Sequence, residues 1–145
     1  MTQETSKRAI VAAVHLSSVS DLEFDASLTE LRQLAKTLGF EVVGTFTQKR
    51  AGFHAAAYFG TGKREELKEI LSENRAEVVL IDHEISPSQA FNLAKEVGAE
   101  VMDRTMVILE IFHRHARTRQ AKAQVEMVRL QYLAPRMREQ GLQSN

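Results

Sequence analysis

Over the first hundred residues, short apolar runs alternate with segments whose apolar residues recur every three or four positions. That alternation argues for an α/β domain: a mostly parallel sheet flanked by helices. "AIVAAVHL" (9–16) reads as a buried strand. Leu28, Leu31, Leu34, Ala35 and Leu38 then fall at helical spacing, with Asp25 or Ser27 as the N-cap and Gly39 as the stop. "EVVGTFTQ" (41–48) is strand-like, "KRAG" (49–52) is a turn or loop, and "AAAYFG" (55–60) is a further apolar run. Leu67, Ile70 and Leu71 share one helical face. "AEVVLID" (76–82) is the cleanest strand, followed by a helix over "SPSQAFNLAKEVG" (86–98) and a short "EVMD" (100–103).

From Arg104 the pattern changes. "TMVILEIFHRHA" (105–116) is helical, and residues 117–140 contain no glycine and a single proline. Ala121, Val125, Val128 and Tyr132 form one stripe there, widened by Leu130 and Leu133. The expected division is a sheet domain over 1–103, a long projecting helical extension over 104–140, and a disordered tail over 141–145. With 145 residues, the sheet portion is long enough to bury a real core. An apolar stripe left without a partner finds another surface, so the long helix is expected either to pair with a second copy through residues 120–138 or to fold back on the sheet.

Nineteen basic residues balance nineteen acidic ones, so bulk charge advertises neither a nucleic-acid nor a membrane partner. The absence of cysteine removes disulfides and thiolate chemistry. No window approaches the roughly 18 apolar residues of a membrane helix, and the polar N-terminus lacks a signal-peptide pattern. A cytoplasmic protein is expected.

Three stretches invite a functional reading. In "YFGTGKREEL" (58–67), Gly60, Thr61, Gly62 and Lys63 open a helix, and a helix start offers free N–H groups to phosphate. A Walker A loop is nevertheless incomplete: Ala57 stands where its first glycine belongs, and Arg64 where Ser or Thr would hold magnesium. The glycines therefore read first as a strand-to-helix turn. A phosphate site with Asp82, at the end of "VVLID", is the alternative. In "DHEISPSQ" (82–89), Ser86, Pro87 and Gln89 spell a capping box, while Asp82 and His83 sit where open α/β sheets place ligands. His113 and His115 point apart on a helix and are not a metal pair. Finally, residues 104–139 carry eight basic side chains against three acidic ones. The dense part, with Arg114, Arg117, Arg119 and Lys122, reads either as a solvated helix face or as a surface for RNA phosphate contacts.

Taken together, "YFGTGKREEL", "VVLIDHEISPSQAFNL" and "EVMDRTMVILEIFHRHARTRQAKAQVEMVRLQYLAPRM" resemble the N-terminal domain of the HflX family of translational GTPases, from about Val11 to Arg138. The resemblance implies a sheet domain, a helical hairpin, and a separate GTPase domain that holds GTP and magnesium. It also implies binding to the large ribosomal subunit and its rRNA, with a role in splitting or rescuing stalled ribosomes. The GTPase motifs and the returning arm of the hairpin are absent from these residues, so the chain is expected to be a docking module, not an enzyme, with no cofactor, metal, membrane or DNA partner of its own. A nucleotide-binding domain and a free-standing dimerising regulator are the alternatives. The sequence departs from the family at Met106, where glycine usually follows D-R-T, and at His113–Arg114–His115.

Overall fold

The computed structural model describes residues 6–144, with side chains described for residues 6–139. Four strands, β1 (Arg8–Leu16), β2 (Glu41–Arg50), β3 (Val78–Ile81) and β4 (Glu100–Asp103), form one sheet in the order β2-β1-β3-β4. Every pairing is parallel. The connecting helices are α1 (Asp21–Thr37), α2 (Thr61–Glu73) and α3 (Pro87–Val97), followed by α4 (Arg104–His115) and α5 (Arg119–Ser144). The α/β expectation therefore holds, with a long C-terminal helix. Among the described residues, no helix is long and apolar enough to cross a membrane.

Strand β1 is central, and its alternating side chains serve two cores. Ile10, Ala12 and Val14 face the layer built by α2 and α3. Ala9, Val11 and Ala13 face α1, together with Val107 of α4. A strand buried on both faces has no polar side, which is why "AIVAAV" is continuous rather than alternating.

Helix α3 carries the expected capping box: Ser86 Oγ accepts the Gln89 N–H at 3.1 Å, and Gln89 Oε1 accepts the Ser86 N–H at 3.0 Å. Helix α1 starts earlier than expected. Its N-cap is Ser20, which accepts the Glu23 N–H at 3.1 Å, and neither Asp25 nor Ser27 fills that role. The first turn carries Leu22 at 82% exposure, so leucine periodicity could not see it, whereas the S-x-x-E cap could. "AAAYFG" is no strand. His54 and Tyr58 exchange backbone hydrogen bonds of 3.0 and 2.9 Å across a tight turn, and Tyr58 takes a left-handed φ of 73°. Helix α5 runs through Pro135 as far as Ser144, so the backbone of 141–144 is helical where a disordered tail was expected: neither Pro135 nor Gly141 ends the helix. Asn145 lies outside the described residues.

Two arrangements fix α5. Its inner side packs on α3 and α4, so the helix folds back onto the body of the chain. The anchor is Asp103, at the end of β4. Its carboxylate accepts the backbone N–H groups of Met106 (3.0 Å) and Ile85 (3.1 Å). It also accepts the Tyr132 hydroxyl and the Arg136 guanidinium, the latter at 3.0 Å. Arg136 donates as well to the Ile85 carbonyl, and its guanidinium lies 4.0 Å from the Tyr132 ring centroid. Burial, helped by the neighbouring carboxylate, pushes the Tyr132 hydroxyl upward, so it stays protonated as the donor. Along the rest of the helix pair, Arg129 bridges Glu110 at 2.6 Å and Glu126 at 3.3 Å.

If this anchor sets the position of α5, replacing Tyr132 by Phe and Arg136 by Ala together accelerates amide hydrogen exchange across α5 and leaves the protection of β1 and β3 unchanged. Uniform loss of protection over both regions would show that α5 and the sheet are one cooperative unit.

Candidate functional site

Open parallel sheets bind ligands at the carboxyl ends of their strands, where the strand order reverses. Here that point lies between β1 and β3. Strand β1 pairs with β3 only as far as Ala12 opposite Ile81, then continues to Leu16. The Val14 N–H therefore loses its strand partner. Tyr58 replaces it: the phenol oxygen accepts the Val14 N–H at 2.8 Å and lies 2.5 Å from His83 Nδ1. The Phe53 ring covers this pair, 4.8 Å from Tyr58 and 4.7 Å from His83. Tyr58 is wholly buried. The crevice that a ligand would occupy is filled by the chain's own aromatic side chains.

The protonation states follow from burial. Desolvation pushes the Tyr58 hydroxyl upward, against the Val14 hydrogen bond, and the Asp82 charge adds to the rise. Desolvation lowers His83; Arg104 lowers it further and Asp82 opposes both. A neutral Tyr58 donates to a neutral His83 whose Nδ1 is the acceptor.

Asp82 is 5% exposed and faces the α1 layer. It accepts the Ser27 hydroxyl at 2.6 Å and the Arg104 guanidinium at 2.6 Å, while Arg104 also holds Glu30 at 2.6 Å. Gly60, Thr61, Gly62 and Lys63 lie on the other side of the sheet, at the start of α2. The structure does not bring Asp82 together with them. The Gly60 N–H is already bonded to Gln48 Oε1 at 3.0 Å, and Lys63 pairs with Glu66 at 3.0 Å. A Cβ on Gly60 would meet Arg50 Nη1 at 2.9 Å, a contact that the flexible end of that side chain can relieve; one on Gly62 would meet nothing within 4 Å. What remains is an open hollow of about 430 Å³ lined by Gln48, Glu66 and the loop. No side chain caps the α2 start.

Arg64, which stands where a Walker loop has its hydroxyl, is 8% exposed. It donates to the Phe59 carbonyl at 2.8 Å and pairs with Glu96. Its role in closing the loop was missed in the sequence, where a lone arginine on a charged helix carries no distinguishing signal. Thr105 likewise donates to Glu84 at 2.8 Å, and Met106 is buried at the wall of a slot of about 1030 Å³ between β4, α3, α4 and α5.

The basic residues divide. Arg114 donates to the Leu38 carbonyl at 2.8 Å, tying the end of α4 to the end of α1. His113 Nε2 lies 2.9 Å from Glu126. Arg117, Arg119 and Lys122 are exposed around the turn between α4 and α5, and no acidic partner is recorded for them among the described residues. Thr118 caps α5, accepting the Ala121 N–H at 3.0 Å. The three free cations therefore surround a helix start, whose partial positive charge adds to theirs.

Known proteins agree with this architecture. The family described as "GTP-binding GTPase N-terminal" matches residues 25–113. The chain is 42% identical over 167 aligned residues to the GTPase HflX of Gluconacetobacter diazotrophicus, covering 90% of this chain and 37% of that protein. It is 46% identical over 122 residues to the GTPase HflX of Alkalihalophilus pseudofirmus, covering 84% and 29% respectively. The chain thus spans about a third of the length of these curated relatives. A crystal structure of an SsGBP mutation variant superposes with a TM-score of 0.70 at 26% identity, over 93% of this chain and 41% of the other. The fold alone is shared with a GTP-binding protein of Sulfolobus solfataricus in complex with GDP, at a TM-score of 0.64 and 22% identity, over 92% and 40%.

Because the native state holds His83 neutral, its contribution to stability is complete above the unfolded-state pKa of about 6.5 and is lost as pH falls through the lower native value. His83→Gln keeps an acceptor for Tyr58 and removes the titration. Urea denaturation of the variant should show a shallower loss of stability below that pH than the parent. Identical pH profiles would exclude His83 as the cause.

Proposed function

The chain belongs to the HflX family, as its GTP-binding GTPase N-terminal domain, and on that premise we propose that it is a ribosome-docking module of such a protein rather than the part that cleaves GTP. Its partner in this reading is the large ribosomal subunit, met through rRNA phosphates, and its setting is the cytoplasm. The observation that carries the reading is the group of unpaired cations, Arg117, Arg119 and Lys122, around the start of α5. Arginine suits phosphate because its planar fork donates in pairs. Arg114 lies one turn away and contributes charge while its own hydrogen bond holds the hairpin in place. Contacts of this kind position a protein on RNA without reading bases, and they weaken steeply with salt.

Two facts stand against a magnesium-nucleotide site within these residues. Asp82 is consumed by Ser27 and Arg104 on the far face of the sheet, and Arg64 replaces the hydroxyl that would reach the metal. GTP and magnesium chemistry, with any part in ribosome splitting, is accordingly assigned to the remainder of the family protein. The uncapped α2 start beside Lys63 supports a second, weaker reading: a phosphate site without a metal.

Replacing Arg117, Arg119 and Lys122 with Glu should abolish co-sedimentation with large ribosomal subunits at moderate salt while leaving the circular dichroism spectrum intact. Unchanged pelleting would remove this surface from consideration. For the second reading, calorimetric titration with ATP and GTP, with and without magnesium, should give no heat at millimolar nucleotide. Binding that Lys63→Ala removes would favour the phosphate site instead.

A further inference from the structure

The turn between β2 and α2 holds a histidine in an arrangement that only its neutral form satisfies. His54 Nδ1 accepts the backbone N–H groups of Ala56 and Ala57, each at 3.2 Å. The Arg64 guanidinium of α2 stands 3.4 Å from the same nitrogen. Three donors thus converge on one lone pair, so the ring proton sits on Nε2. A proton added at Nδ1 turns that acceptor into a donor facing two amides and a cation. Glu96 of α3 does not offset this, because it is already paired with Arg64.

The same turn reaches a second neutral histidine. His54 and Tyr58 exchange backbone hydrogen bonds across it, and the Tyr58 hydroxyl donates to His83 Nδ1. Phe53, next to His54 in sequence, lies against both the Tyr58 and His83 rings. Around His83 the charges oppose one another: Asp82 favours its protonation, while burial and Arg104 resist it. Protonated at Nδ1, His83 donates where it now accepts and takes from the buried Tyr58 O–H the acceptor it uses. The other side-chain ties of the turn are Gln89 to the His54 carbonyl at 3.1 Å and Asn92 to the Ala56 carbonyl at 2.9 Å. Ala55 and Ala56 at its tip are exposed. Gly52 and Gly60 bracket the segment, so it can swing without unwinding β2 or α2.

We propose that the turn over 53–58 is a proton-operated lid on the carboxyl edge of the sheet, closed while His54 and His83 are neutral and released when they take up protons. Release frees the Val14 N–H, which Tyr58 now holds. It also opens the point between β1 and β3 where parallel sheets take ligands. A released imidazole binds its proton at the ordinary value of about 6.5. Closure is therefore at full strength above that pH and weakens as pH falls below it. An opening linked to one proton becomes about tenfold more populated per pH unit, and one linked to two protons about a hundredfold. None of these groups lies at the basic turn before α5, so the inference does not rest on the ribosome reading.

Amide hydrogen exchange of the 145-residue chain, followed by NMR between pH 7.5 and 5.5 and corrected for intrinsic rates, tests the lid. Protection of Val14, Ala57 and Tyr58 should fall at least about tenfold further than that of Val79 and Leu80 in β3. His54→Asn keeps a side-chain acceptor for the two amides, as in an Asx turn, and His83→Gln keeps one for Tyr58. Neither replacement titrates in this range, so the double variant should hold the three amides equally protected at every pH. His54→Asn alone changes a half-buried side chain of a surface turn and should already flatten the slope. Constant protection of the three amides in the parent overturns the proposal, as does a parallel loss in β3, which would mean that the sheet opens with the turn. A pH slope that His54→Asn leaves unaltered, or that persists in the double variant, overturns it as well.

Discussion

Asp103 ends the edge strand with 3% exposure, and its two oxygens take two backbone N–H groups, a phenol and a guanidinium. An ionised carboxylate removed from water costs several kcal/mol unless it is paired and hydrogen-bonded. The donors come from three separate places: the loop after β3, the first turn of α4, and the middle of α5. Satisfying one charge therefore sets where the chain turns after the sheet and where its last helix returns. Arg104 works in the same way one residue on, joining Asp82 of the β3 end to Glu30 of α1. Thr105 completes the set by holding Glu84. The D-R-T triplet is a junction: all three side chains reach the loop after β3, at Ile85, Asp82 and Glu84, while Asp103 and Arg104 also tie in α5 and α1.

The carboxyl edge of the sheet shows the same economy. In a doubly wound sheet this edge normally opens a crevice for a ligand. Here β3 stops early, an N–H of β1 is left over, and Tyr58 closes the gap from a turn whose left-handed backbone is uncommon for a bulky residue. The buried phenol, the imidazole and Phe53 fill this gap. A fold that elsewhere supports nucleotide chemistry has at this edge been filled with its own side chains, which suits a module whose contacts lie on its surface. Among the described residues, the cations at the turn between α4 and α5 and the apolar side chains along the outward side of α5 are exposed.

This division explains why the family-like stretches looked more catalytic in one dimension than they are in three. "DHEISPSQ" gathers an acid, a histidine and two serines, yet Asp82, His83, Glu84, Ser86 and Gln89 each have an internal partner. "YFGTGK" joins aromatic residues to glycines because Tyr58 and Phe59 are core and the chain turns into α2 at Gly60, which lies against the Arg50 and Gln48 side chains.

Local order was written in the chain. The apolar run of β1, the leucine spacing of α1, the capping box of α3 and the unbroken helical stretch after Arg117 depend only on neighbours a few residues apart, so periodicity and caps reveal them. The start of α1 was legible too, in Ser20 and Glu23, although the leucine pattern pointed further on. Partnership was not legible. That Asp82 turns to Ser27 and Arg104 while Gly60 to Lys63 lie behind the sheet, that Tyr58 takes an orphaned N–H of β1, and that Tyr132 and Arg136 find Asp103 all depend on strand order and on the path of α5. These pairings join residues from 22 to 55 positions apart. A one-dimensional pattern states which side chains carry charge, but only packing decides which of them are buried against one another and which remain for a partner.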